Sequence, residues 1–311
     1  MHIYKILLLV CVVYALSGCT KVVYQHRDMA GNESTWGNTQ IYRMWVNGWF
    51  KTNISNPDRY EYSPDVHHQS KEIVFLIAGN KIHIMDSNGN NVMEVPNAPQ
   101  DAGRPRWSRG EAKKFILFSH PASSSQSAIY LCTPDGNSLM KITSPSLTQK
   151  HEVADSIDDN FIVFSQFDST NNQDRDLCVK YIWSNQAELK LTDTPDSSET
   201  LPVVSHDGKL LAYRVSFGSD QDDQVHVAQF NGPQNITVLH KIDLKLPADI
   251  NISGIDFSRD DQELFISTQA EGISGNSINQ RQEIFRVDLN GDNQKRITNN
   301  TDEDSYPSSV P

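Results

Sequence analysis

Short apolar runs recur along the chain, and most of them are followed by a second run in which apolar and polar residues alternate. The first kind is continuous and rich in β-branched and aromatic residues, as in EIVFLI (72–77) and NFIVFS (160–165). The second kind ends in a turn signal, as in KIHIMDSNG (81–89) and EIFRVDLNG (283–291). Asn-Gly and Asp-Gly between two such runs predict β-hairpins whose two central residues have positive φ. No segment has the apolar period of a helix.

A serine-centred frame precedes each continuous apolar run and marks an internal repeat. The serines are at positions 63, 108, 156, 205 and 258, and Val310 takes the same place in a last, partial copy. A proline lies three residues before the frame position in three copies, as Pro105, Pro202 and Pro307. Each complete copy holds four short predicted strands.

Four-stranded units repeated without helices predict an all-β fold, a six-bladed β-propeller. The N-terminal segment lacks a first strand: KVVYQ (21–25), QIYRMWVNG (40–48) and WFKTN (49–53) correspond to the second, third and fourth strands. The C-terminal YPSSVP (306–311) corresponds to a first strand with no blade after it. We therefore expect the C-terminal strand to pair with the N-terminal segment and close the ring, which protects the sheet edges.

The frame resembles the WD40-like repeat of TolB-type β-propellers, most clearly in VVSHDGKLLAYR (203–214) and EIFRVDLNGDNQKRIT (283–298). The resemblance extends over roughly residues 20 to 311. TolB also carries an α/β domain before its propeller, for which we expect no room here, so a direct role in the Tol system is not implied.

The N-terminus has the pattern of an export signal, with Lys5 before an apolar run from Ile6 to Leu16. The run ends in LSGC (16–19), which resembles the lipobox of bacterial lipoproteins and implies cleavage before Cys19 and acylation of its thiol. We expect residues 1–18 to be removed and residues 19–311 to form a single propeller domain. Thr20, in place of Asp, implies sorting to the outer membrane of a Gram-negative cell. The alternative is an ordinary signal or a membrane-anchor helix with an incidental cysteine.

Charge and cysteine content limit the possible partners. The formal net charge is −12 and no cluster of Lys and Arg occurs, which argues against a nucleic-acid partner. We expect a monomer. Cys132 and Cys178 would lie in an oxidising compartment, where a disulfide is possible, but their strand positions favour two buried free thiols.

No catalytic constellation is evident. The Ser, Asp and Gly of SHDG (205–208) are explained by a turn, and no G-x-S-x-G motif occurs. Histidines have no metal-binding spacing, and adjacent His67 and His68 on a strand would point to opposite faces. Oligogalacturonate lyase resembles this architecture and gathers histidines from several blades, which would implicate His151 and His206. We otherwise predict no metal and no cofactor.

The loops that enter the first strands should converge on one face of a propeller. Mixed charged groups around a channel mouth suit a peptide or protein ligand. We therefore expect a non-catalytic envelope scaffold, with a metal-dependent polyuronide lyase or oligosaccharide binder as the alternative. The candidate binding residues on this face are Asp101, Arg104, Lys150, His151, Glu199, His206 and Asp304.

Overall fold

The computed structural model describes residues 20–28, 39–110, 114–123, 126–145, 149–168, 171–218, 223–244, 251–269, 281–300 and 302–310. These ranges contain 24 β-strands and no helix, so the described part offers no helical segment able to cross a membrane. The strands are β1 (Lys21–Arg27), β2 (Thr39–Trp45), β3 (Thr52–Asn53), β4 (Glu61–Val66), β5 (Ile73–Ile77), β6 (Lys81–Met85), β7 (Met93–Glu94), β8 (Gly103–Trp107), β9 (Ile116–Ser123), β10 (Gln126–Cys132), β11 (Met140–Lys141), β12 (Gln149–Ser156), β13 (Phe161–Asp168), β14 (Asn171–Tyr181), β15 (Leu189–Lys190), β16 (Ser198–Val204), β17 (Leu210–Ser216), β18 (Gln224–Phe230), β19 (Ile236–Asp243), β20 (Ile252–Phe257), β21 (Glu263–Gln269), β22 (Gln282–Asp288), β23 (Lys295–Arg296) and β24 (Glu303–Val310).

Nearly all strands pair with their neighbours in sequence as antiparallel sheets. The described strands form four sheets of four strands and one of eight. The eight-stranded sheet consists of β8–β11 and β12–β15, which one parallel bridge between Ser127 and Lys150 joins. The fold is thus the all-β propeller that the repeat predicts, whereas its count of six blades stays a prediction because the hydrogen-bonded sheets number five.

The predicted ring closure is confirmed. β24 pairs with β1 in antiparallel register, from Lys21 opposite Val310 to Arg27 opposite Glu303, and the sheet continues through β2 to β3. The first and last described strands therefore share one sheet. The inner strands β4, β8, β12, β16, β20 and β24 each contact the next, and β24 contacts β4.

The apolar core lies between neighbouring sheets rather than on one face of them. On β5, Ile73 and Phe75 enter one core cluster, whereas Val74 and Leu76 enter the next. A strand buried on both faces needs apolar residues at consecutive positions, which explains the continuous runs in the sequence. Burial of each such side chain contributes about 1.5–3 kcal/mol.

The hairpin turns differ from the expected type. Gly89 and Gly136 have φ of +85° and +70° and donate to the carbonyls three residues earlier, at Asp86 and Thr133. The residues before them are not at positive φ. The glycine therefore follows the turn in the left-handed conformation, as in longer hairpin loops.

The two cysteines of the described region are buried thiols and form no disulfide. They belong to different core clusters, Cys132 to the one that contains Trp107 and Cys178 to the one that contains Phe164. Burial raises the pKa of each thiol to about 12, which keeps both protonated.

Candidate functional site

A repeated irregularity in the inner strands shapes the axis of the propeller. Ser63, Arg104, Leu201 and Tyr306 each precede a proline and each have φ between +42° and +54°. A residue before proline normally adopts extended backbone, so these four positions are strained. Each lies at a register shift between its strand and the neighbouring strand. The bulges turn all four residues to line one axial space.

Above this space lies a cavity of about 510 Å³, here called the mouth, on the face where the inner strands begin. Its charged lining residues are Arg104, Arg175, Arg214 and Glu152. Hydroxyl and amide side chains and Tyr306 complete the wall, including Ser119, Ser165, Thr200, Ser253, Asn251 and Gln282. The mouth is cationic although the chain carries a net charge of −12.

The three arginines of the mouth have different surroundings. Arg214 Nε lies 2.8 Å from Asp223 Oδ2, so that arginine is neutralised. Arg104 stacks 5.0 Å from the ring centre of Tyr306, and Arg175 stacks 4.2 Å from that of Phe167. Within the described ranges, neither Arg104 nor Arg175 forms a salt bridge. Burial lowers the pKa of Arg175, and the charge of Glu152 opposes this effect.

An aromatic cavity of about 490 Å³ adjoins the mouth and shares Tyr306 with it. Tyr60 and Tyr62 line it, together with Gln25 and Thr39. The Tyr62 hydroxyl donates to Asn80. The two cavities together offer cationic and aromatic surface at one face, which suits a ligand with an anionic group next to an apolar one.

The far end of the axis is filled by an ion network of Asp65, Asp155, Asp256, Arg106 and Arg109. Each aspartate lies on an inner strand and accepts a backbone N–H from a neighbouring inner strand. Asp65 accepts from Trp107 at 2.7 Å, Asp155 from Val204 at 3.0 Å and Asp256 from Ser309 at 2.8 Å. Arg106 pairs with Asp65 at 3.0 Å. The Arg109 side chain is only 5% exposed and contacts both other carboxylates. Charged side chains that bind one another therefore occupy the axis on the side away from the mouth.

In this network, the charges of the partners oppose the effect of burial on the pKa of each group. Burial by itself lowers the pKa of Arg109, but Asp155 and Asp256 outweigh it and raise that pKa. Burial likewise raises the pKa of Asp256, but Arg109 and Arg106 outweigh it and lower that pKa. The pKa of Asp155 stays raised, because its burial outweighs the two arginines.

Only part of the predicted rim is exposed in the mouth. Arg104 lines the mouth, and Asp101 and Lys150 line a neighbouring cavity of about 340 Å³. His151, Glu199 and Asp304 are instead buried. Their burial follows from their inner-strand position, which faces a neighbouring sheet or loop.

The buried three have local partners. Glu199 accepts hydrogen bonds from Thr192, Thr194 and Ser197 of the preceding loop. Asp304 lies 2.6 Å from His26 Nδ1 and accepts from Asn300. His151 packs on Phe164, and burial lowers its pKa to about 4.

His206 lies at the opposite end of the axis from the mouth and does not join His151. Its Nδ1 is 2.8 Å from Asp261 Oδ1, and its ring lies 4.5 Å from that of His68. Within the residues that the structure describes, no three His, Cys, Asp or Glu side chains are placed to hold a metal. Cys19, the predicted acylation site, lies outside the described residues.

The serine frame has a structural role, and one copy is displaced from its predicted position. Ser108, Ser205 and Ser258 accept the N–H of Phe115, Leu210 and Glu263 with their side chains and close the turn to the second strand. Directly after β4 the equivalent backbone bond starts at His67, whose N–H donates to the carbonyl of Glu72, so the frame position of this unit is His67 and not Ser63.

The corrected frame supplies the signal that sequence reasoning missed. Pro64 lies three residues before His67, as Pro105 does before Ser108. Asp65 and Asp256 then lie two residues before their frame positions. Arg175, Arg214 and Glu152 reach the mouth from parts of strands β14, β17 and β12 that the frame does not mark.

Comparison with known proteins supports the fold alone. No family model matches the chain, and no curated protein matches it. Among solved structures, TolB from Acinetobacter baumannii is 17% identical with a TM-score of 0.69, over 96% of this chain and 70% of that one. Hydrazine synthase of Kuenenia stuttgartiensis is 12% identical with a TM-score of 0.66, over 94% of this chain and 47% of that one. Oligogalacturonate lyase from Vibrio parahaemolyticus is 10% identical with a TM-score of 0.56, over 88% and 78%. The chain thus has the TolB-type β-propeller fold, which binding proteins and enzymes share.

Proposed function

We propose that this chain is a non-catalytic binding scaffold of the cell envelope, anchored by a lipid on Cys19 in the outer membrane and facing the periplasm. The mouth is its ligand site, and the ligand is a protein or peptide that presents a carboxylate. The observation that carries this proposal is the pair of arginines, Arg104 and Arg175, which stack on aromatic rings and form no salt bridge with a described residue.

The chemistry of the two guanidinium groups favours such a ligand. Arginine presents planar donors that match a carboxylate, and a ring behind the guanidinium fixes its plane. Arg104 Nη2 also donates to the Tyr306 hydroxyl at 3.3 Å, and its other N–H groups can serve the ligand. A concave, partly buried site strengthens the attraction over that at an open surface. The aromatic cavity beside Tyr306 would take an apolar side chain adjacent to the carboxylate.

Site-specific photo-crosslinking in living cells tests the binding site. A photoreactive residue at Thr200 or Ser253 lies in the mouth, and one at the exposed Lys209 lies at the other end of the axis. We expect discrete protein adducts from the mouth positions, no such adducts from position 209, and loss of the adducts in Arg104→Glu/Arg175→Glu. Equal patterns at all positions, or no effect of the charge reversal, would contradict the proposal.

The anchor needs its own test. Metabolic labelling with an acyl-chain analogue should modify the wild-type chain and not Cys19→Ser. Label that persists in Cys19→Ser would exclude Cys19 as the acylation site, and a wild-type chain without label would exclude the anchor.

A polyuronide lyase or binder is the second candidate, because uronate carboxylates would also fit the arginines of the mouth. The burial of His151 and its separation from His206 weigh against a lyase with these histidines. Oligogalacturonate with added manganese distinguishes the candidates. The appearance of an unsaturated product would replace the scaffold proposal, whereas no product and no binding would remove this candidate.

A further inference from the structure

The end of the fold opposite the mouth carries a run of exposed apolar side chains. They lie in, or in one case directly after, the connections between the third and fourth strands of four successive units, β2–β3, β6–β7, β10–β11 and β14–β15. We call this set the anchor-side face: Trp49, Phe50, Met93, Leu139 and Trp183. Trp49 is 64% exposed, Phe50 72%, Met93 62% and Trp183 49%. Single exposed apolar side chains are normal, but several large ones gathered at one end of a fold indicate an interaction surface.

The topology places these connections together at one end of the axis. Third strands begin near the mouth, since Gln282 at the start of β22 and Arg175 on β14 line it. They therefore end at the far end. Trp183 confirms this arrangement, because its Nε1 donates to the carbonyl of Asp159 at 2.6 Å, in the turn between β12 and β13.

The chain enters the fold at the same end. Lys21 begins β1 and pairs with Trp45 and with Val310, the last residues of β2 and β24. The carbonyl of Thr20 accepts the N–H of Val46 at 3.2 Å, four residues from Phe50. The ring of Phe50 lies 5.8 Å from that of Trp45. Residue 19 is thus bonded directly to a residue held beside the most exposed aromatic pair.

The sequence before Thr20 identifies what this face meets. It contains the apolar run from Ile6 to Leu16 and then Cys19. Either an acylated Cys19 or a retained apolar segment would place hydrocarbon at this end of the propeller, and no linker separates it from β1. Tryptophan and phenylalanine side chains are suited to the boundary between lipid headgroups and acyl chains.

We propose that the anchor-side face lies on the surface of the phospholipid bilayer, with Trp49, Phe50, Met93 and Trp183 in its interfacial layer. The mouth then faces away from the membrane. This inference does not depend on what the mouth binds. It does rest on the part of the proposed function that places hydrocarbon at Cys19.

Quenching of tryptophan fluorescence by lipids tests the inference. The full chain, isolated from membranes, is reconstituted in vesicles of phosphatidylethanolamine and phosphatidylglycerol with brominated acyl chains. We expect strong quenching in the wild-type chain and loss of most of it in Trp49→Phe/Trp183→Phe. Val238→Ser/Leu239→Ser, which changes exposed apolar residues on β19, should retain the quenching.

Two results would overturn the proposal. One is equal quenching in the wild-type chain and in Trp49→Phe/Trp183→Phe. The other is self-association that Trp49→Ser/Phe50→Ser abolishes, with no lipid quenching, which would assign the face to a second copy of the chain.

The crosslinking experiment on the mouth and the quenching experiment on the anchor-side face can succeed or fail independently. Crosslinks that fail at the mouth while lipid quenching depends on Trp49 would refute the binding proposal and leave the membrane face intact. Crosslinks that succeed while quenching is absent would do the reverse.

Discussion

Arg109 and Asp256 form a salt bridge across the axis of the propeller: the arginine Nη2 lies 3.0 Å from Oδ1 of the carboxylate. Arg109 follows β8 and Asp256 lies on β20, and β12 and β16 stand between these strands in the ring. The Nε of Arg109 also lies 3.3 Å from Oδ2 of Asp155 on β12. One side chain therefore links β8 and β12 to β20, which is not their neighbour in the ring.

Removal of this guanidinium should strongly destabilise the fold. Arg109→Met leaves Asp155 and Asp256 buried without their cation, a change that costs about 3–5 kcal/mol in comparable buried pairs. Arg109→Lys should be intermediate, because an ammonium group cannot donate in two fixed directions. Urea unfolding measures the free energies.

Lys209→Met is the matched control for Arg109→Met, since the exposed Lys209 pairs with Asp207 at 2.8 Å in solvent. It should leave the unfolding free energy unchanged. An Arg109→Met chain as stable as the wild type would show that the network does not hold the inner strands.

Acidification should destabilise the protein between pH 6.5 and 4. Burial lowers the pKa values of His67, His68, His151 and His226 to about 4, so the folded chain binds fewer protons than the unfolded chain in this interval. The contribution of these neutral histidines to the free energy of unfolding is therefore fully present above the unfolded pKa of about 6.5, and it is lost as the pH drops towards 4.

His151→Phe tests the contribution of one histidine, because Phe164 already offers an aromatic neighbour. The variant should show a smaller change in melting temperature between pH 7 and pH 4.5 than the wild type. His240→Gln, at an exposed position, should retain the wild-type change. Parallel pH profiles for His151→Phe and the wild type would contradict the assignment.

Two glycines distinguish backbone strain from contact between neighbouring sheets. Gly79 and Gly89 have similar φ of +89° and +85°. A Cβ at position 79 meets nothing within 4 Å, whereas one at position 89 would lie 1.7 Å from the carbonyl oxygen of Ile54. Gly79→Ala should cost about 1–2 kcal/mol from the left-handed backbone alone.

Gly89→Ala should be clearly less stable than Gly79→Ala, since the turn must also move away from the residue that follows β3. Thermal unfolding of the two variants gives the comparison. Equal losses would mean that the turn after β6 is not held against the neighbouring sheet.

Ser308 links the last inner strand, β24, to the first, β4, by hydrogen bonds. Its hydroxyl accepts the N–H of Val66 at 3.0 Å and donates to Asp65 at 3.3 Å. Ser308→Ala leaves a buried N–H without its partner, at a cost of about 1–3 kcal/mol. Ser138→Ala, on an exposed turn, should have no effect on the denaturant midpoint, and a similar absence of effect in Ser308→Ala would contradict this role.

The repeat made the architecture predictable, because strand length, turn signals and register are local properties. The pairing of KVVYQ with YPSSVP was predictable because the N-terminal segment lacks a first strand and the C-terminal segment corresponds to one. β1 and β24 pair as expected. The fourth strand of the unit that contains Ser205, β19, has eight residues and is longer than the short strand expected there. Ser63 was placed wrongly because the frame position of its unit is occupied by His67, directly after β4.

The site was less predictable, because its side chains come from positions that no sequence spacing relates. Arg175 and Arg214 lie on different sheets and meet only through the curvature of the ring. His151 and Glu199 carry polar side chains, yet the inner-strand position that they share is buried. Polarity alone could not reveal which polar residues face the mouth.

The pairing of β1 with β24 sets an order on biosynthesis. Synthesis proceeds from the N-terminus, so β1 exists long before residues 303–310 emerge and offer it a partner. Until then one edge of β1 stays open to other chains, which makes the nascent protein prone to aggregation. The slowest contacts to form are those between the most distant residues, so the ring should close last and after release. A chaperone that shields an unpaired strand would therefore be needed until residues 303–310 have paired with β1.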